Sequence, residues 1–182
     1  VVVWAIFIKT IETLQMYLDS VGIKSKALYG ATPVATDGMT EDDINYELTR
    51  ESIIKELHKP DSEFKVIIAN PFAVAESISL HKACHNAIYL ERSFNCAHFV
   101  QSKDRIHRYG LASDVVTNYY YLVSQDTVDC TINDRLQVKE ARMIAIIESS
   151  PIPLFNNLND DGNEDIKAII RDYVKRKNRK IQ

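Results

Sequence analysis

Val1-Val-Val-Trp-Ala-Ile-Phe-Ile8 begins the sequence as an unbroken apolar run. A strand with no polar side needs cover on both faces, as in a parallel sheet held between layers of helix. Opening on such a strand without an initiator methionine leads us to expect a domain cut from a longer protein. Residues 26–29, 64–69, 87–90 and 115–123 read as further strands, the last rich in β-branched and aromatic side chains. Helical patterns lie between them. Thr10 can cap a helix to about Val21, with Ile11, Leu14 and Leu18 on one face and Gly22 at its end. Thr40 can cap a helix that carries Glu41, Asp42 and Asp43 in its first turn and runs to about His58. Residues 70–80 read as a loop passing into a short helical turn. Asn95 can cap a fourth helical segment, which Gly110 terminates. Strands alternating with helices predict an α/β fold with right-handed crossovers.

At 182 residues the chain is long enough for one domain with a proper core. A hydrophobic fraction of 46% and a charged fraction of 26% are those of a soluble globular protein. The net charge of -3 excludes a broadly basic nucleic-acid coat, but not phosphate contacts made by a few placed groups. No apolar run reaches membrane-spanning length. Cys84, Cys96 and Cys130, odd in number and widely spaced, suit reduced thiols and a cytoplasmic setting.

The glycines narrow the choice among α/β proteins. The five lie at positions 22, 30, 38, 110 and 162, and no two are spaced for GxGxxG. No GxxxxGK followed by Ser or Thr occurs either, so the sheet has no loop of its own to cradle a polyphosphate. Yet Gln101-Ser-Lys-Asp-Arg-Ile-His-Arg-Tyr-Gly110 is suited to one. Read as a helix, it sets Gln101, Asp104, Arg105 and Arg108 on one face and Phe99 and Ile106 on the other. Guanidinium forks match phosphate oxygens, and Asp104 can pin one of them. A solvated helix face stapled by Gln101–Arg105 and Asp104–Arg108 contacts explains the same decapeptide. An exchange of chemistry with a second lobe would reconcile the arginines with the missing loop.

Beyond the last strand, residues 127–148 read as a long amphipathic helix with Val128, Ile132, Leu136 and Ile147 toward the body. Ser149-Ser-Pro-Ile-Pro153 breaks it. A final helix over 164–180 sets Ile166, Ile169, Ile170, Tyr173 and Val174 on one face and ends in a basic stretch.

In their joint order these motifs resemble the second RecA-like lobe of superfamily-two helicases, most closely the Swi/Snf-type DNA-dependent ATPases. Gln101-x-x-Asp104-Arg105-x-His107-Arg108-x-Gly110 resembles the sixth motif, QxxDRxHRxGQ, with Leu111 in place of the last glutamine. Phe94-Asn95 falls where the family has Trp-Asn-Pro, with Cys96 for the proline. The opening strand and helix resemble the fourth motif, and Tyr29-Gly30-Ala-Thr32 with Arg50 the segment after it. Asn70-Pro-Phe-Ala-Val-Ala-Glu76-Ser-Ile-Ser-Leu80 stands at the fifth motif, keeping Ala73, Glu76 and Leu80. There Val74, Ala75 and Ser77 replace glycines, and Pro71 a threonine. Thr127-Val-Asp129 followed by Lys139 resembles the bracing helix.

The resemblance implies a RecA-like, three-layer P-loop-type lobe over residues 1–125, a bracing helix over 126–148, and a linker with a basic amphipathic helix over 149–182. It implies a partner lobe that holds ATP and Mg2+. Arg105 and Arg108 would act as arginine fingers, Gln101 and Asp104 would line the nucleotide, and Glu76 would couple hydrolysis to nucleic acid. Gly30, Thr32, Arg50 and Asn70 would meet the backbone of DNA, duplex by expectation. The intact protein would then be an ATP hydrolase that moves along DNA. A catalytically silent nucleic-acid- or protein-binding module keeping the same fold is the other reading. Rival sites are weaker. His81-Lys-Ala-Cys84-His85 has zinc-helix spacing but Lys82 where a metalloprotease needs glutamate, so packing or hinge roles fit better. Asn157-x-Asn159-x-Asp161-Gly162 opens like a calcium loop but has Ala168 at the twelfth position. Tyr119-Tyr-Tyr121 suits strand packing better than base stacking.

Overall fold

The computed structural model describes residues 1–43, 45–74, 78–108, 110–112, 114–147 and 162–179. Glu76, and the calcium-like stretch from Asn157 to Asp161, lie outside them. The apolar runs form β1 (Val2–Trp4), β2 (Ser25–Leu28), β3 (Val66–Ala69), β4 (Asn86–Tyr89) and β5 (Asn118–Tyr121). These make one parallel sheet in the order β2-β3-β1-β4-β5. β1 is central, with Val3 opposite Ile68 of β3 and Ile88 of β4. Val2, Trp4, Ala5, Ile67, Ile68, Ala69 and Ala87 are fully buried, as strands covered on both faces require.

Helices α1 (Ile8–Ser20), α2 (Arg50–Leu57), α3 (Pro71–Val74) and α4 (Cys96–Asp104) connect the strands. From β1 to β2 the chain moves one way across the sheet; from β2 onward it moves back. Right-handed crossovers therefore put α1 on one face and α2 and α4 on the other. Ile11, Leu14 and Leu18 of α1 pack on Val3, Ile68 and Ile88. On the opposite face Phe99 of α4 meets the ring of Tyr89 at 5.3 Å, and Tyr89 meets Trp4 at 6.5 Å. Ser102, fully buried, donates to the Phe99 carbonyl at 2.6 Å and so accepts from the Tyr89 hydroxyl at 2.8 Å. That bond satisfies the buried Tyr89 hydroxyl, while the indole nitrogen of Trp4 on the same seam is buried with no hydrogen-bond partner.

Three local expectations are corrected, two of them by long-range partners. The first helix begins at Ile8, and Thr10 is inside it rather than capping it. The capping oxygens come from Glu91, just past β4: Oε2 accepts from the Ile6 and Phe7 amides at 2.8 and 3.0 Å, and Oε1 from the Thr10 hydroxyl at 2.7 Å. The helix expected from Thr40 does not start there, because the Asp43 carboxylate turns back onto the Thr40 amide at 2.6 Å. A short 3-10 turn (Tyr46–Leu48) follows, and buried Thr49 caps α2 by accepting from the Ser52 amide. The arginine helix stops at Asp104, six residues before Gly110. The Arg105 carbonyl accepts from the Leu80 amide at 2.9 Å, so it is not left for a further helical turn.

The chain divides into two units: Val1–Glu91 with Ala97–Leu122, and Arg92–Cys96 with the chain from Val123 on. The second holds α5 (Val128–Ile147) and α6 (Gly162–Arg179), joined by charge more than by apolar packing. Asp165 accepts from Arg135 at 3.0 Å and Lys139 at 2.9 Å, and Lys139 also reaches the Phe94 carbonyl at 3.1 Å. Arg176 binds the Thr127 carbonyl and the Thr131 hydroxyl, which donates to Asp172 at 2.9 Å. Polar ties therefore hold positions expected to be apolar seams. Leu136 is buried, but Val128 and Ile147 are 42% and 75% exposed, and Ile166, Ile170, Tyr173 and Val174 of α6 are exposed as well.

Glu91→Ala should destabilise the first unit by about 2 kcal/mol, since it strips charge-assisted partners from two amides at a helix start. Urea unfolding followed by far-UV circular dichroism measures this. Glu91→Gln, which keeps one acceptor oxygen, should lose less.

Candidate functional site

The residues singled out from the sequence gather at the two opposite ends of the strands. Gly30, Thr32 and Asn70 follow the carboxyl ends of β2 and β3, where ligands of open α/β sheets commonly bind. Arg50 joins them from α2. Its Nη2 donates to the Tyr29 carbonyl at 3.1 Å, its Nε to Thr32 at 3.2 Å and its Nη1 to Ala73 at 2.8 Å. Asn70 donates through Nδ2 to the Ile6 carbonyl at 2.7 Å and accepts from the Phe72 amide at 2.8 Å. Thr32 accepts from the Tyr29 amide at 3.0 Å, closing the turn at Gly30. The four positions thus form one rim in which the guanidinium fork of Arg50 grips backbone carbonyls. Gly30 is exposed, with nothing near it that would meet a side chain. Phe72, 46% exposed, stands edge-on to His98 at 4.6 Å beside this rim.

The sixth-motif residues lie toward the other end. α4 leaves the carboxyl end of β4 and returns the chain to the start of β5, so its last turn is at the amino edge of the sheet. Phe99, Ser102 and Ile106 are buried, as the anchoring face requires. Gln101 is half-buried with Oε1 enclosed and unbonded, and Asp104 is exposed. Arg105 and Arg108 do not share a helical face with them, because both follow the end of α4. Arg105 is half-buried and donates through Nη1 to the Ile78 carbonyl at 3.2 Å. Arg108 is exposed. The arginines therefore differ: one fastens the exit of the fifth motif, and the other faces solvent.

The same edge holds residues that the motif reading did not join to it. His81 Nδ1 lies 2.8 Å from Ser79 Oγ, and the His85 ring bonds the His81 carbonyl at 3.0 Å. Burial, then the charges of Arg108 and Lys82 and the rings of His58 and His85, push the His81 imidazole below its ordinary 6.5. Burial, then Lys82, do the same to His58, against a bond that its ring donates to the Ser79 backbone carbonyl. His81 and His85 were visible as an i, i+4 pair; only the fold adds His58 and Arg108. Among the described residues no cluster of His, Cys, Asp or Glu is arranged to hold a metal ion. No helix of the described residues is long and apolar enough to cross a membrane.

The two lowered imidazoles set a pH dependence. The unfolded chain takes up protons near the ordinary pKa, while folded His58 and His81 resist them until lower pH. Their contribution to stability is complete above about pH 6.5 and falls as pH drops through the folded values. The urea midpoint should therefore be lower at about pH 5.5 than at pH 7.5. A His58→Gln, His81→Gln double variant should shrink that difference.

Compared by sequence, the chain matches no protein-family model and no curated protein. Compared by structure, it resembles the crystal structure of the C-terminal part of the Fun30 ATPase domain, with a TM-score of 0.62 at 20% identity. The likeness covers 96% of this chain and 48% of that one, so the chain spans about half the length of its structural neighbour. At that identity the likeness carries the architecture, and the parallel sheet between helices carries the same one. The chain has a RecA-like α/β fold, similar to that of the C-terminal part of the Fun30 ATPase domain.

Proposed function

We propose that the chain is the second motor lobe of an ATP-dependent DNA translocase. The supporting observation is the ordered motif set, ending in Gln101-x-x-Asp104-Arg105-x-His107-Arg108, on this fold, with Arg108 exposed at an edge that has no phosphate loop of its own. A first lobe would hold ATP and Mg2+, and closure would bring Arg108 against the γ-phosphoryl as charge spreads over it. Arg105, bound to the Ile78 carbonyl, would hold the fifth motif in register with the sixth and turn toward the nucleotide on closure. Gln101 and Asp104 would line the same cleft, and Glu76 would relay nucleic-acid contact to it. DNA would lie along the rim of Gly30, Thr32, Arg50 and Asn70, met through its backbone and without sequence preference. Arg50 would serve there chiefly by holding the loops whose amides face the phosphates. Opening and closing of the lobes would turn hydrolysis into movement.

The two arginines should separate under mutation. In the protein joined to its first lobe, Arg108→Ala should lower DNA-stimulated ATP turnover roughly a thousandfold and leave the melting temperature unchanged. Lysine at that position should not restore it, because a point charge lacks the planar fork. Arg105→Ala should lower turnover and also cost about 1 kcal/mol of stability through the lost bond to Ile78. Steady-state ATPase at saturating duplex DNA, with thermal melts of each variant, reads both. Near-normal turnover in Arg108→Ala would return that arginine to a solvated surface position, and absence of turnover in the unmutated two-lobed protein would favour a silent binding module.

A further inference from the structure

We infer that His58, His81, Lys82 and His85 form, with Arg108, a phosphate-binding site at the amino edge of the sheet. Nothing in the helicase resemblance supplies these imidazoles. The inference deepens the function proposed above, since it says what the surroundings of Arg108 are built to receive. Hydrogen bonds fix the geometry. Leu80 donates to the Arg105 carbonyl at 2.9 Å and Arg105 to the Ile78 carbonyl at 3.2 Å, pinning the 78–85 turn to the segment that bears Arg108. Within the turn, Ser79 orients His81 through Nδ1, and the His81 carbonyl orients the His85 ring. The other ring nitrogen of His81 is left for a ligand. His58, at the end of α2, is near enough to Lys82 and His81 for each to act on another's charge. Its Nε2 is buried with no hydrogen-bond partner.

The charge balance points to an anion. Among the described residues, Arg108, Lys82, His58 and His85 act on His81 and Lys82 on His58, with no carboxylate among them. Lys82 and Arg108 make no ion pair among the described residues. The nearby acids do not compensate. Glu56 is paired with Lys59, Asp61 acts on Lys59, and exposed Asp104 influences neither histidine. Burial first, and then these positive neighbours, disfavour the protonated forms of His58 and His81. A phosphate reverses this. Its oxygens take the fork of Arg108 and the ammonium of Lys82, and its charge lets His81 and His58 keep protons and donate as well. Binding should therefore draw in protons and tighten as pH falls toward 6.

Histidine Cε1–H resonances, followed by NMR through a pH titration at constant ionic strength, test this. Inorganic phosphate, ATP and a short DNA duplex are added in separate experiments. The midpoints of His81 and His58 should rise by about one pH unit with a phosphate-bearing ligand, equivalent to tenfold tighter binding of the protonated form. The rise should vanish in Lys82→Ala, an exposed position whose loss leaves the fold intact. A response to ATP but not to the duplex identifies a nucleotide as the source, and the reverse identifies a nucleic-acid backbone; either supports the site. Midpoints unmoved by all three ligands, or moved equally in Lys82→Ala, overturn it. Static histidines with turnover lost in Arg108→Ala would remove this site and leave the motor reading standing. Moving histidines with normal turnover in that variant would keep the phosphate site and remove Arg108 from the chemistry of hydrolysis.

Discussion

The carboxyl ends of β1, β2, β3 and β4 are held together by three polar side chains, and the arrangement of the first unit depends on them. Glu91 ties the end of β4 to the start of α1. Asn70 ties the end of β3 to the loop after β1. Arg50 ties the turn after β2 to the head of α3. Strands of only three or four residues leave each loop with little local support. Without these cross-links the loop amides would have to find water one by one. The rim is consequently a preorganised surface, built before any ligand arrives.

A second coupling runs down the same face. The segment after β3 crosses to the amino edge, and there Ile78 and Leu80 bond to Arg105. Arg50 grips the near end of that segment at Ala73, and Arg105 grips the far end at Ile78. Two guanidinium groups thus bracket the fifth motif. Both bind carbonyls, whose position follows backbone movement rather than side-chain rotation.

Much of this was legible in the sequence, and the remainder was not for one recurring reason. Five apolar runs read as strands, and each lies where it was expected to within a few residues. Short β-branched runs buried on both faces mark β1 and β3, while β5 is exposed and was legible from its β-branched and aromatic composition. The long helix from Val128 and the last helix were legible from their period. Thr10 and Thr40 misled because both have good local capping chemistry, and a carboxylate prevailed in each case. Glu91 comes from a distant strand, while Asp43 comes from three residues away. The end of α4 was misplaced because Leu80, invisible to a local pattern, takes a helical carbonyl. In the candidate site, Arg105 and Arg108 were found by spacing, but their different environments were not. Neither was the company of His58, since two histidines and a lysine in a turn give no hint of what another helix brings to them.

The order of the strands has a consequence for how the chain comes to be folded. β1 is the central strand and precedes both its partners, β3 and β4, so Val2 must wait for Ile67 and Ala87. No local hairpin can shelter it meanwhile, because every neighbour in the sheet is parallel and distant. During synthesis the most apolar segment of the molecule is therefore an unpaired edge, open to association with other chains until α4 has left the ribosome. A chain interrupted after α2 would expose β1 indefinitely, and its natural fate would be capture by a chaperone or aggregation.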